Sequence, residues 1–162
     1  MSIVKVILIV IATGVVLFIL LLVYTLWPTI RNVSDNKALN PFLNKSLTLK
    51  RKAFLHYTDQ HEYSFVKYVL NERADYPGNV LFELPVGTVI HVNKFKTYKN
   101  SVSGFTYLYA LGELTTPDHK KIEFENDLGG TDPSLYSKET VIDLGFALWQ
   151  DSTDSSIKYE KN

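Results

Sequence analysis

Cysteine is absent from this chain of 162 residues. Disulfide bonds, cysteine nucleophiles and the lipid-modified cysteine of bacterial lipoproteins are therefore excluded. The absence fits a domain that is exported without disulfides, and it fits the cytoplasm as well. The compartment must therefore be inferred from other features.

Motifs of catalysis and phosphate binding are also missing. The sequence has no Gly-x-Ser-x-Gly elbow, no P-loop and no Gly-x-Gly-x-x-Gly fingerprint. We therefore expect no catalysis and no cofactor.

Neither sign of charge is in excess, because 17 Lys and Arg balance 17 Asp and Glu. No basic stripe is interleaved with stacking aromatics, so nucleic-acid binding is not predicted. Residues 31–99 are nevertheless net basic and residues 100–162 net acidic. We expect the two halves to neutralise one another across one fold; the alternative is that the basic half attracts anionic lipid headgroups.

Long hydrophobic runs are limited to one, residues 6–27, in which sixteen residues are Leu, Ile, Val or Phe. As a helix this run is roughly 33 Å long, enough to cross a hydrocarbon core. Tyr24 and Trp27 suit the membrane interface, and Pro28 ends the helix. The run predicts a transmembrane signal anchor over residues 1–28, with the lipid bilayer as the partner of residues 6–27.

A cleaved signal peptide is the alternative interpretation of this run. Such a peptide would have an apolar stretch of about 7 to 15 residues and a small-x-small cleavage site. The run here is longer and ends in Tyr-Thr-Leu-Trp-Pro, without Ala-x-Ala. An uncleaved anchor is therefore the prediction.

The orientation is inferred from the size of the flanking segments, since basic residues near the two ends of the run are nearly balanced. A short N-terminal tail and a large C-terminal domain favour a signal anchor with its N-terminus in the cytoplasm. An uncleaved anchor without disulfides or eukaryotic signals favours a bacterium, so we expect a single-pass protein of the inner (plasma) membrane. Its C-terminal domain is then periplasmic or otherwise extracytoplasmic.

Most of the remaining chain alternates apolar and polar residues with period two, which is typical of half-buried strands. The segments of this kind are residues 46–57, 88–98, 105–114, 121–125 and 142–148. They predict a mainly β fold, a small β-barrel or β-sandwich over residues 46–150. Residues 29–45 have the composition of a linker, and residues 151–162 that of a flexible tail.

Two local features of this β domain are specific enough to test. The turn-forming residues 99–104 predict a hairpin between residues 88–98 and 105–114. Phe95 breaks the alternation set by Ile90 and Val92, which indicates a β-bulge near Asn93 and Lys94. Residues 62–71 fit either a helix or a strand, and their β-branched and aromatic content favours a strand.

The segment Leu-Pro-Val-Gly-Thr-Val-Ile-His-Val at residues 84–92 is similar to the L-x-x-G-T-x-[VI]-x-V step of bacterial SH3-like domains. Residues 46–50 resemble the opening strand of those domains, and residues 105–108 their next, aromatic-led strand. The likeness covers about residues 46–114; the interval between residues 57 and 84 is longer than in that family, and its closing Gly-Trp-Val strand is missing. The resemblance implies a binding module, which in that family often recognises cell-wall peptides.

The densest group of metal-ligand types is His56, Asp59, His61 and Glu62. Zinc requires imidazoles and carboxylates that converge at about 2.0 to 2.2 Å, and these residues could flank one turn. Their spacing matches no known zinc signature, so the alternative is an ordinary solvated turn.

Tyrosines are numerous for a small domain, and a tyrosine ring offers rigid apolar area with a hydroxyl suited to peptide or glycan recognition. The candidate ligand-binding residues are Tyr57, Tyr63, Tyr98, Tyr107 and Tyr109. The alternative is that these rings fill or cover the β domain.

The sequence is compatible with three functions. The preferred hypothesis is a membrane-anchored binding module whose partner is an envelope protein or a cell-wall component. The second is an accessory or immunity-type subunit of a membrane complex. The third is a metal-dependent hydrolase that uses the cluster at His56, Asp59, His61 and Glu62.

Overall fold

The computed structural model describes residues 2–59, 64–131, 141–151 and 153–160. An N-terminal helix, α1, covers Ile3–Leu26. The strands that follow are β1 (Thr29–Asn32), β2 (Lys45–Thr48), β3 (Ala53–Tyr57), β4 (Tyr68–Asn71), β5 (Asn79–Leu84), β6 (Val89–Lys99), β7 (Thr106–Thr115), β8 (Lys121–Thr131), β9 (Val141–Asp143) and β10 (Lys158–Glu160). A short 3-10 helix, Asn40–Phe42, lies between β1 and β2.

Helix α1 is apolar on all sides, and none of its residues is buried against the rest of the protein. Its mean hydropathy reaches 3.4, and it is the one helix in the described ranges that is long and apolar enough to cross a membrane. The hydroxyl of Thr13 donates to the carbonyl of Ile9 at 2.9 Å, so this polar group is satisfied within the helix. Signal sequences near an N-terminus meet the same criteria of length and composition.

Eight of the strands in the described ranges form one sheet, with the order β1-β6-β7-β8-β4-β3-β5 and with β2 paired to β6. All of its pairs are antiparallel except β4 with β8, and β9 pairs with β10 separately. The prediction of a mainly β domain behind one N-terminal apolar helix is confirmed. In the described residues the sheet is open, so the closed barrel offered among the alternatives does not form.

The predicted hairpin is confirmed as β6 and β7, which pair from Ile90 with Leu114 to Lys99 with Thr106. The predicted bulge is confirmed as well, because the register shifts between Val92 and Lys94. The extra residue, Asn93, lets Phe95 return to the buried side of the sheet, where it is fully buried. The predicted strand over residues 62–71 is realised in its last part as β4.

The hydrophobic core covers one face of the sheet. It is closed by side chains from beyond the sheet, since Leu148, Trp149 and Ile157 are buried in the same cluster. Arg51 helps to hold this segment, because its Nη2 donates to the carbonyls of Phe146 (2.7 Å) and Ala147 (2.8 Å). The strands contribute Ala53, Leu55, Leu70, Leu84, Ile90, Val92, Phe95, Leu108, Ala110, Leu114, Phe124 and Leu128.

The segments predicted as a linker and a tail contain ordered elements. Residues 29–45 include β1, and their apolar side chains Val33 and Leu39 belong to the core. Residues 151–162 include β10, and Ile157 is buried. The physical reason is the same in both cases: a few apolar side chains within a polar stretch find a place in the core.

Candidate functional site

The sheet has a second face, opposite the core, on which polar and aromatic side chains lie. Residue pairing places Lys96, Tyr109 and Asp127 in one row across β6, β7 and β8. Because side chains alternate along a strand, Tyr107, Glu113 and Glu125 lie on this same side. We call this surface the second face.

Of the tyrosines predicted to bind a ligand, those that the structure describes lie in different parts of the sheet and differ in exposure. Tyr107 and Tyr109 are half-buried on the second face, whereas Tyr98, which pairs with Tyr107, is only 5% exposed and has almost no surface to offer a ligand. Tyr57 pairs with Tyr68 on β4, and their rings meet edge to face at 5.7 Å. Tyr63 lies outside the described residues.

Tyr109 lies at the centre of an aromatic and acidic group. Its ring packs edge-on against Phe65 at 5.4 Å, and the Nζ of Lys96 lies 4.6 Å from the centre of the Phe65 ring. Burial raises the pKa of the Tyr109 hydroxyl, and the negative charges of Asp127 and Glu125 raise it further. This hydroxyl therefore stays protonated at neutral pH and can serve as a hydrogen-bond donor.

The pKa values of the neighbouring Tyr76 and Asp127 are raised as well. Burial, followed by the charges of Asp127 and Glu125, also raises the pKa of Tyr76. Desolvation raises the pKa of Asp127, although the backbone N–H of Gly129 donates to this carboxylate at 2.7 Å and lowers it in part. The group offers donors and acceptors beside aromatic surface, a combination suited to binding.

Glu125 holds the loop at residues 64–66 in place. It is 3% exposed, and its carboxylate accepts hydrogen bonds from the Ser64 hydroxyl (3.0 Å), the Phe65 N–H (2.6 Å) and the Val66 N–H (3.3 Å). The sequence pattern places Glu125 on the polar side of its strand with Lys121 and Glu123. The pattern therefore does not predict that Glu125 is buried. A loop distant in sequence satisfies the carboxylate, and pattern reasoning cannot find such a contact.

Replacing Glu125 by alanine is expected to lower the free energy of unfolding by about 2 to 4 kcal/mol, because half-buried backbone donors lose a charged acceptor. The matched control is Glu123→Ala on the same strand, where the side chain is exposed; it should change the free energy by less than about 0.5 kcal/mol. Urea unfolding of the full chain in mild detergent, followed by tryptophan fluorescence, measures both. Equal unfolding midpoints for the two variants would contradict the role given to Glu125.

The predicted metal ligands are placed only in part. His56 is fully buried, its Nε2 lies 3.0 Å from the carbonyl oxygen of Arg73, and its ring meets Tyr76 edge-on at 5.5 Å. Asp59 is exposed, and His61 and Glu62 lie outside the described residues. Among the residues that the structure describes, no three His, Asp or Glu side chains are grouped to hold a metal ion. The period-two pattern predicts His56 on the polar side of its strand, whereas the structure buries it under Tyr76.

Two grooves lie toward the Val89 end of β6 and its neighbours, and Lys121 lines both of them. The first has a volume of about 630 Å³ and includes Val89, His91 and Glu113 in its lining. The second, of about 750 Å³, is lined by residues 65–68 and 120–123. The Lys121 ammonium forms an ion pair with the Glu113 carboxylate. We call the two grooves together the far groove.

The far groove is distant from the helix. Two residues separate α1 from strand β1, which pairs Thr29 with Lys99 at the opposite end of β6 from Val89. Ten residue steps separate Val89 from Lys99, which is about 33 Å along an extended strand. A partner in the far groove would therefore bind well away from the end of the helix.

Comparison of the chain with family models, with curated proteins and with solved structures gives no match. The resemblance of residues 46–114 to bacterial SH3-like domains therefore stays a prediction.

Proposed function

We propose that this protein is a single-pass membrane protein of the cell envelope whose sheet domain binds a partner protein. Helix α1 is the uncleaved anchor, the sheet domain lies on the extracytoplasmic side, and the far groove receives the partner. The observation that carries the proposal is the placement of this open, mixed apolar and polar surface at the end of the sheet remote from the anchor.

The chemistry of the far groove favours a protein segment as its occupant. Val89 is 55% exposed and offers apolar area, while His91 and the Glu113–Lys121 ion pair offer donors and acceptors of both signs. Interfaces commonly combine an apolar centre with such a polar rim. A strongly charged polymer would instead need a surface of one sign, and the groove does not have one.

The size of the far groove is also suitable. Its two parts, of about 630 and 750 Å³, fall within the range of roughly 300 to 1,000 Å³ that is typical of binding pockets. Phe65 and Ile122 line the second part and are half-buried, so both parts include apolar side chains. A partner that lies across Lys121 would contact both parts at once.

The proposal is tested by purifying the full-length protein from native membranes in mild detergent. We expect a stoichiometric partner that Val89→Asp weakens at least about tenfold, because a buried unpaired carboxylate disfavours association by more than 1.4 kcal/mol. The matched control is Val80→Asp on the exposed edge strand β5, where the side chain is 46% exposed and lies outside the far groove.

Both variants should keep the wild-type unfolding temperature, since each changes an exposed side chain. If Val89→Asp keeps the partner and Val80→Asp loses it, the partner binds at the β5 edge and not in the far groove. Recovery of the wild-type protein without any partner would contradict the function itself.

A further inference from the structure

The junction between α1 and the sheet is very short. Only Trp27 and Pro28 separate the end of the helix from β1. The three residue steps from Leu26 to Thr29 span at most about 11 Å when fully extended, so the start of β1 must lie close to the helix end. Because Thr29 pairs with Lys99, the end of the β6–β7 hairpin is brought to the same place.

A direct contact joins the hairpin turn to the helix end. The Ser101 hydroxyl donates a hydrogen bond to the carbonyl of Trp27, the residue that follows the last helical residue. The turn is therefore tied to the chain at the level where a membrane-spanning α1 leaves the hydrocarbon. Trp27 is 69% exposed, and exposed tryptophan is enriched at this level of membrane proteins.

The turn has a defined shape and an apolar tip. Asn100 accepts hydrogen bonds through Oδ1 from the N–H groups of Val102 (2.9 Å) and Ser103 (3.0 Å), and its backbone pairs with Phe105 and Gly104. Val102 at the tip is 78% exposed, more than the other large apolar side chains of the described sheet domain. Because these hydrogen bonds already fix the turn, the Val102 side chain can contact a surface without a further loss of backbone entropy.

The charged residues nearest the turn are basic. Strand β1 and residues 97–106 contain Arg31 and Lys99 and neither Asp nor Glu. Arg31 and Lys99 are exposed at the end nearest the helix. Basic side chains at this position are attracted to the anionic headgroups of a bilayer.

We propose that the β6–β7 turn is a second membrane contact, in which Val102 enters the headgroup region and Arg31 and Lys99 face anionic phospholipid. The bilayer is the occupant because this surface continues directly from the end of α1 through Trp27. The proposal rests on α1 as a membrane span. It fixes the sheet domain against the bilayer by two attachments instead of one, and it leaves the far groove free.

The test uses the full-length protein in vesicles of phosphatidylcholine with a minor share of phosphatidylglycerol. Because the chain has no cysteine, each of Val102→Cys, Val86→Cys and Leu17→Cys carries one thiol for a nitroxide label. Collision with dissolved oxygen reports burial in lipid, and collision with a water-soluble nickel complex reports contact with water. Val86 is the matched control, since it is also an exposed valine (61%) in a turn and precedes the opposite end of β6.

We expect nickel collisions at position 102 to be severalfold less frequent than at position 86, and oxygen collisions to be more frequent. Equal collision rates at positions 102 and 86, whether both in water or both in lipid, would overturn the proposal. The label at position 17 shows whether a negative result concerns only the turn contact or the membrane span as well. If position 17 is in lipid while position 102 is in water, the span survives and the turn contact is wrong. If position 17 is in water, the anchor and the turn contact are both wrong.

Discussion

Arginine at Val15, Phe18 and Leu21 together is expected to abolish stable membrane association. The sixteen Leu, Ile, Val and Phe residues of the run favour insertion by about 5 to 10 kcal/mol, at roughly 0.3 to 0.6 kcal/mol each. Each central arginine opposes insertion by about 2.5 to 3.5 kcal/mol and also removes one apolar contribution. The three changes together cost about 8 to 12 kcal/mol, which is comparable to or larger than the whole preference.

The measurement is the fraction of full-length protein that stays with the membrane after alkaline extraction. The control is Val15→Leu with Phe18→Leu and Leu21→Ile, which keeps the apolar character and should stay fully membrane-bound. The intact mass of the wild-type protein, 18.5 kDa for the full chain, distinguishes an anchor from a cleaved signal sequence. An arginine variant that resists extraction as the wild type does would show that α1 is not what holds the protein.

Phe95→Ala is expected to lower the free energy of unfolding of the sheet domain by about 3 to 5 kcal/mol. The ring is fully buried at the point where β6 returns from its bulge to the core. The backbone of Phe95 also pairs with the segment before the 3-10 helix, since its carbonyl accepts from the Val33 N–H at 3.0 Å and its N–H donates to the Ser34 hydroxyl at 2.9 Å. Alanine keeps these backbone bonds, so the loss isolates the packing of the ring.

The matched control for this variant is Phe146→Ala; Phe146 is 44% exposed, and its ring should contribute less than about 1 kcal/mol. Urea unfolding in mild detergent measures both variants, and the buried Trp149 supplies a fluorescence signal from the core. Similar losses for Phe95→Ala and Phe146→Ala would mean that the core is not centred on this face of the sheet.

Local patterns in the sequence were sufficient for the hairpin and its bulge. The turn residues 99–104 and the break in alternation at Phe95 are neighbours along the chain, so they reveal β6 and β7 without knowledge of any distant residue. The apolar helix was predictable for the same reason, because length and composition suffice to identify it.

The contacts of Glu125 and His56 could not be found in this way. Each lies at a position that alternation places on the solvent side, and each is buried by a loop from elsewhere in the chain. The parallel pair of β4 with β8 is likewise invisible to pattern reasoning, since it joins segments more than fifty residues apart. Burial on the second face depends on tertiary contacts, which periodicity does not encode.

The polar segment before β2 shows a related effect. Its Asn, Ser, Asp and Pro content favours an extended connector, yet Val33 and Leu39 supply two core side chains. Average composition conceals single apolar residues that are decisive for packing. A single apolar residue in a polar stretch can therefore be a core residue.

The parallel joint between β4 and β8 also has a consequence during synthesis. Strands β3, β4 and β5 are translated before β8, the strand that covers the open side of β4. Until the β6–β7 hairpin and β8 have been synthesised, the backbone edge of β4 has no strand to pair with. An uncovered strand edge of this kind is a surface that chaperones bind before the fold is complete.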